Sequence, residues 1–267
     1  MTKPKPCELI AAAEAGDEAK LRQLIASGAE VDLGMGPPVD TTARRRTALM
    51  AACEKAHLGC VQALLDAKAS LRFVATDGRD ALARLLEARG ERRAPVFRSV
   101  DCDSPEILAC LRAILNSGAV KDINKAVGKG FDKCSPLARA TSWLDHGCMR
   151  ALISAGANPN AETIVHISWQ TNAAYRIGNQ RGHPLGSTLS RGDVEGCWLL
   201  FDAGADPFAK AQWQPSLDDI AERCYYVGDE GRSFLAEAKR RHGARVEATA
   251  ISAETPQAPA ASKRPRI

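Results

Sequence analysis

Residues 47–69 read TALMAACEKAHLGCVQALLDAKA. Thr47-Ala48-Leu49-Met50-Ala51-Ala52 begins a short apolar segment, and Thr47 is a residue type that caps helix starts. Val61, Leu64 and Leu65 follow at i, i+3, i+4 spacing, which places three apolar side chains on one face of a second helix. That helix runs out into Lys68-Ala69. The second pattern recurs four times: Leu21, Leu24, Ile25 before Gly28-Ala29; Leu111, Ile114, Leu115 before Gly118-Ala119; Met149, Leu152, Ile153 before Gly156-Ala157; and Cys197, Leu200, Phe201 before Gly204-Ala205. Four copies carry glycine, which enters the left-handed conformation that ends a helix without a side-chain penalty. Lys68 lacks that freedom, so its stop is expected to be the weaker one. The opening pattern returns as Ser135-Pro136-Leu137 and His183-Pro184-Leu185, and tight turns such as Gly16-Asp17 and Gly192-Asp193 join the two helices of a unit.

These units resemble ankyrin repeats, whose Thr-Pro-Leu-His-x-Ala signature and period of about 33 residues they approximate. The resemblance covers roughly residues 7–241. It implies an all-α fold: an ankyrin-repeat solenoid of about five to six helix-turn-helix units with inserted loops. The capping positions 28, 68, 118, 156 and 204 are separated by 40, 50, 38 and 48 residues, so every interval carries an insertion. The larger ones fall near 88–104 and 160–182. The first is expected between the two helices of unit three, the second in the outgoing finger of unit four. Residues 1–6 read as an N-terminal extension. The last unit closes with a helix over about Glu230–Arg241, whose Lys239-Arg240-Arg241 suits the negative end of the helix dipole. Residues 242–267 read as a disordered, Ala/Pro-rich basic tail.

Composition narrows the function. A net charge of +4 is far from the footprint of a dedicated nucleic-acid binder. No run reaches the roughly 18 apolar residues of a membrane span, and the polar Met1–Cys7 segment is no secretory signal. An intracellular chain, cytoplasmic or nuclear, is expected. Nine scattered cysteines argue for buried thiols and against a disulfide framework. The nearest pairs, Cys53 with Cys60 and Cys102 with Cys110, are too far apart for structural zinc. No nucleophile elbow or P-loop frame occurs. His57 and His146 read as turn-stabilising residues. The chain is therefore expected to be a monomer that is not an enzyme, with no cofactor, no metal and no small-molecule substrate.

In the family it resembles, partners dock in the concave groove built by fingers and first helices. Carried onto this chain, the resemblance gives Glu14, Glu54, Lys55, Ser142, Trp143, Ser190 and Arg191 on the helices, with Glu87 in unit three. On the fingers it gives Arg44, Arg46, Asp77 and Arg79. Trp143 reads equally as an interface anchor or as packing against the next unit. Trp169 and Tyr175 in the second insertion read as a hook for a partner or as a local core. The basic clusters Arg44-Arg45-Arg46, Arg89 to Arg98 and Lys263–Arg266 read as solvated faces, as sites for an acidic protein or nucleic acid, or, for the tail, as an import signal. The implied function is a scaffold or adaptor binding one or more proteins. The alternative is a nuclear regulatory protein or bacterial effector that recruits a target with the same array.

Overall fold

The computed structural model describes residues 5–33, 46–88, 103–129, 133–161, 163–171, 174–209 and 216–254, with 163–181, 225 and 250–254 described by backbone alone. Among them, twelve helices form six units. The first helices are α1 (Pro6–Ala15), α3 (Ala48–Glu54), α5 (Ala81–Leu86), α7 (Pro136–Trp143), α9 (Pro184–Ser190) and α11 (Leu217–Arg223). The second helices are α2 (Glu18–Ala26), α4 (Leu58–Asp66), α6 (Pro105–Asn116), α8 (His146–Ser154), α10 (Val194–Asp202) and α12 (Gly228–Glu254). Each first helix packs on the next first helix, and each second helix on the next second helix, giving two parallel rows. None of the described helices is long and apolar enough to cross a membrane.

The repeated spacing explains the rows. Leu21, Val61, Leu64, Leu111, Ile114, Met149, Leu152, Cys197 and Leu200 are all buried and join the signature leucines Leu9, Leu49, Leu82, Leu137 and Leu185 in one continuous core. Short polar side chains start the helices. Thr47 accepts from the Met50 N–H, Ser135 from Ala138, and Asp17, Asp145 and Asp193 cap α2, α8 and α10. The stops repeat too. The N–H groups of Ala29, Ala69, Ala157 and Ala205 donate to carbonyls five residues back, following a left-handed residue. Lys68 takes that left-handed conformation, φ 64°, despite its side chain. Adjacent outgoing turns are linked: Asp32 accepts from the Ser70 N–H, Asn124 from Asn158 and Asn160 from Asp206.

Two expectations change. The second insertion, read as a loop, contains an antiparallel hairpin of β1 (Thr163–Thr171) and β2 (Ala174–Gly182), paired from Thr163↔Gly182 to Thr171↔Ala174. Its root is pinned where His183 Nδ1 lies 3.0 Å from the Asn160 carbonyl. The closing helix does not stop at Arg241 but runs to Glu254, through the first part of the stretch read as a tail. Residues 244–254 are rich in alanine, the best helix former, and the single Gly243 costs only about 1 kcal/mol. The extension is also anchored: the Arg245 guanidinium lies 4.7 Å from the Phe201 ring and His242 packs edge-on against Phe208. Lys239-Arg240-Arg241 is therefore mid-helix. Lys239 pairs with Asp218, Arg241 sits over Trp198, and Arg240 and Arg241 together hold the Glu237 carboxyl down at about 2.

Candidate interaction groove

Over units one to four, the candidate charges do not stand apart but form an alternating ladder. Arg46 reaches Glu14 and Glu54, each at 3.0 Å. Arg84 bridges Glu54 at 3.0 Å and Asp77 at 2.8 Å. Arg79 lies 3.8 Å from Asp77 and 2.7 Å from Glu87. Arg139 closes the series on Glu87 and donates from Nη2 to the Val127 carbonyl at 2.6 Å. The series alternates four carboxylates with four guanidinium groups, so its net charge is zero. Burial, with Arg79 nearby, pulls the Arg139 guanidinium down to about 10. The outer members remain wet: the Glu14 side chain is 45% exposed, whereas Arg84 is 4% exposed.

Arg84 and Arg139 were absent from the candidates. Both lie two residues after a signature leucine, Leu82 and Leu137, on the helix face next to the groove positions. That shared offset was a readable signal. The carboxylates alone would make this end of the row acidic; their arginine partners cancel it.

The first-helix row closes over units four and five. β1 lies against α7, α9 and α11. Every residue of α9 is buried, including the polar Ser187, Thr188 and Ser190. Their hydroxyls turn inward: Ser190 donates to the Ser187 carbonyl and Thr188 to that of Leu185. Arg191 is 6% exposed and donates from Nη1 to the Ser142 carbonyl at 2.5 Å, and burial pulls it down to about 10. Ser190 and Arg191, taken as groove contacts, thus sit inside the fold. Part of the cover is the turn Tyr225–Val227: a Cβ on Gly192 would stand 2.1 Å from the Tyr226 carbonyl oxygen. Trp143 and Ser142, at the end of α7, are half-buried. Lys55 is exposed at the end of α3. Arg44 lies outside the described residues, as do Arg45, Arg89 to Arg98 and Lys263–Arg266, together with the side chains of Trp169 and Tyr175.

The two histidines join neighbouring units. His57 Nε2 lies 3.2 Å from the Glu14 carbonyl, and its ring fills the space over Gly16. His146 is fully buried, with Nε2 2.8 Å from Asp193 Oδ1 and Nδ1 3.1 Å from Glu195 Oε1. Asp193 meanwhile caps α10 by accepting from the Gly196 N–H. Carboxylates on both ring nitrogens leave His146 no open side toward a substrate. Burial pushes Cys110 and Cys224 up to about 11 and also raises Cys53 and Cys197, which keeps these thiols protonated at neutral pH.

Comparison with known proteins bears on this geometry. Residues 9–92 match the family model for ankyrin repeats (3 copies). No curated protein matches the chain. Among solved structures, the chain resembles the ankyrin repeat domain of Bcl-3, described as a unique member of the IkappaB protein family. The TM-score is 0.60 at 20% identity, over 89% of this chain and 87% of that one. At that identity the likeness speaks to fold alone. Residues 9–92 thus carry ankyrin repeats, and the same two-row stack continues from them up to α12, so the fold is that of a helical ankyrin solenoid.

Proposed function

We propose that this chain is a non-catalytic scaffold or adaptor whose protein partner docks on the first-helix row of units one to three. Ankyrin repeats are an interaction fold, and the reading follows from where this array leaves its groove open. One observation carries it. From unit one to unit five, the last-turn pair of the first helix goes from exposed (Glu14, Ala15) through half-buried (Ser142, Trp143) to buried (Ser190, Arg191), and it is exposed again (Glu222, Arg223) on the closing helix α11. Ala11 and Lys55 are exposed on the open side. The neutral ladder there offers a partner fixed dipoles and shape rather than one sign of charge. An intracellular, monomeric chain without cofactor belongs to the same proposal.

The test places a photo-crosslinking residue at Ala11, at Lys55 or, on the second-helix row, at exposed Gln62. The expected result is one protein captured from Ala11 and Lys55, absent from Gln62, and rebound by the purified chain. Equal capture from all three positions, or turnover of a substrate by the purified chain, overturns the reading.

A further inference from the structure

We propose that a basic-rimmed apolar pocket between the outgoing turns of units two and three takes an acidic–apolar segment of the protein partner. The inference rests on the reading that the array binds protein, and names the chemistry of one contact. The pocket, about 250 Å³, lies at the starts of α5 and α7. Its floor is Leu71, Leu82, Val120 and Pro136. Its rim carries Arg72, Lys121 and Lys125, all exposed. Phe73 and Val74, 37% and 42% exposed, follow Arg72 directly in sequence and add apolar surface beside it.

The argument is the contrast with the ladder. There, each guanidinium meets a carboxylate. Here, none of the three rim cations forms an ion pair with a described residue, although two carboxylates line the same pocket. Those carboxylates are committed to backbone: Asp80 accepts from the Ala83 N–H at 2.8 Å and Asp122 from the Asn124 N–H at 2.9 Å. The rim keeps a formal charge of +1 above apolar side chains. Small-molecule sites run from about 300 Å³ upward; this smaller cavity matches one large apolar side chain with room to spare. A partner offering such a side chain flanked by Asp or Glu would satisfy floor and rim together.

The test selects a displayed library of random peptides on the full chain. A parallel selection uses Lys121→Glu with Lys125→Glu, which changes two exposed side chains and is checked for an unchanged melting curve. The expected result is enrichment of peptides with an apolar residue among carboxylates. Fluorescence anisotropy should then show binding at least ten-fold weaker to the double variant, ten-fold weaker when the peptide's apolar residue becomes serine, and weaker still in raised salt. Enrichment of basic peptides, no enrichment at all, or acidic peptides that the double variant still holds each overturns the pocket. So does a single-stranded oligonucleotide that binds in a Lys121- and Lys125-dependent way where peptides do not. The crosslinking at Ala11 and Lys55 is unaffected by any of these results, so failure of the pocket is distinct from failure of the scaffold reading.

Discussion

Units one to three and units four and five use one repeat in opposite ways. In the first half, the groove side of α1 and α3 ends in charged side chains that reach water and pair through finger arginines. In the second half, α9 ends in Ser190 and Arg191, and the chain covers them with β1 and with the turn at Tyr226. Ser190 and Arg191 find their partners inside the fold, as burial requires. A surface that recognises something else must leave area uncovered. On the proposed reading, the groove therefore offers no docking face wherever the chain supplies its own cover, even when the repeat signature is intact.

The largest test of this contrast removes one carboxylate from each half. Asp193→Ala deletes a buried cap and takes the carboxylate away from the buried His146 Nε2, so it should cost about 3 kcal/mol. Glu14→Ala deletes an ion pair whose carboxylate is 45% exposed, and after solvent screening should cost under about 1 kcal/mol. Chemical denaturation of both variants reads the difference. Equal losses would break the comparison, because they would mean that the open ladder stabilises the fold as much as the closed half does.

How much of this was readable in the sequence depends on range. The second helices, the capping residues and the turns follow from spacings of a few residues, and they were legible: Leu21 to Phe201 recur at one pattern and all five copies form helices. The end of α12 was not. Its extension depends on Arg245 meeting the Phe201 ring and His242 meeting Phe208, contacts far apart in sequence. The groove was half legible. Glu14, Arg46, Glu54, Asp77 and Arg79 were read together as candidate groove positions, but that they neutralise one another through Arg84 depends on how successive units stack. Ser190 and Arg191 misled because the repeat pattern describes a helix and not what covers it. The placement of the hairpin and of the Tyr225–Val227 turn over α9 does that.

A second test therefore removes the cover. Replacing Thr163–Arg181 by a short Gly-Ser link is feasible because Asn160 and His183 already meet at the hairpin root. Amide hydrogen exchange across Leu185–Ser190 should speed up about ten-fold, equivalent to about 1.4 kcal/mol of local opening, while α3 is unchanged. A shortened chain that also captures a new partner through a photo-crosslinking residue at Ser187 would sharpen the comparison, because the covered half would then be a groove in reserve. Unchanged protection of α9 would break it, since its burial would then belong to the helices alone.

The smallest effect isolates the backbone from everything that covers it. Lys68 ends α4 in the open half at φ 64°, and Gly204 ends α10 in the closed half at φ 95°. A left-handed residue other than glycine costs roughly 1 kcal/mol, partly offset because glycine gives the unfolded chain more freedom to lose. Lys68→Gly should therefore stabilise the chain by about 0.5 kcal/mol. Gly204→Lys should destabilise it by about 1 kcal/mol. Nothing lies within 4 Å of a Cβ built on Gly204, so a clash cannot account for the loss. Thermal melts of the two variants and of the double variant should give additive shifts, because the turns lie in different units and share no side-chain partner. Additivity would confirm that both halves run on the same repeat backbone and differ only in what is laid over it. A loss at Gly204 well beyond 1 kcal/mol would instead mean that the closed half has tightened its turns as well as its groove.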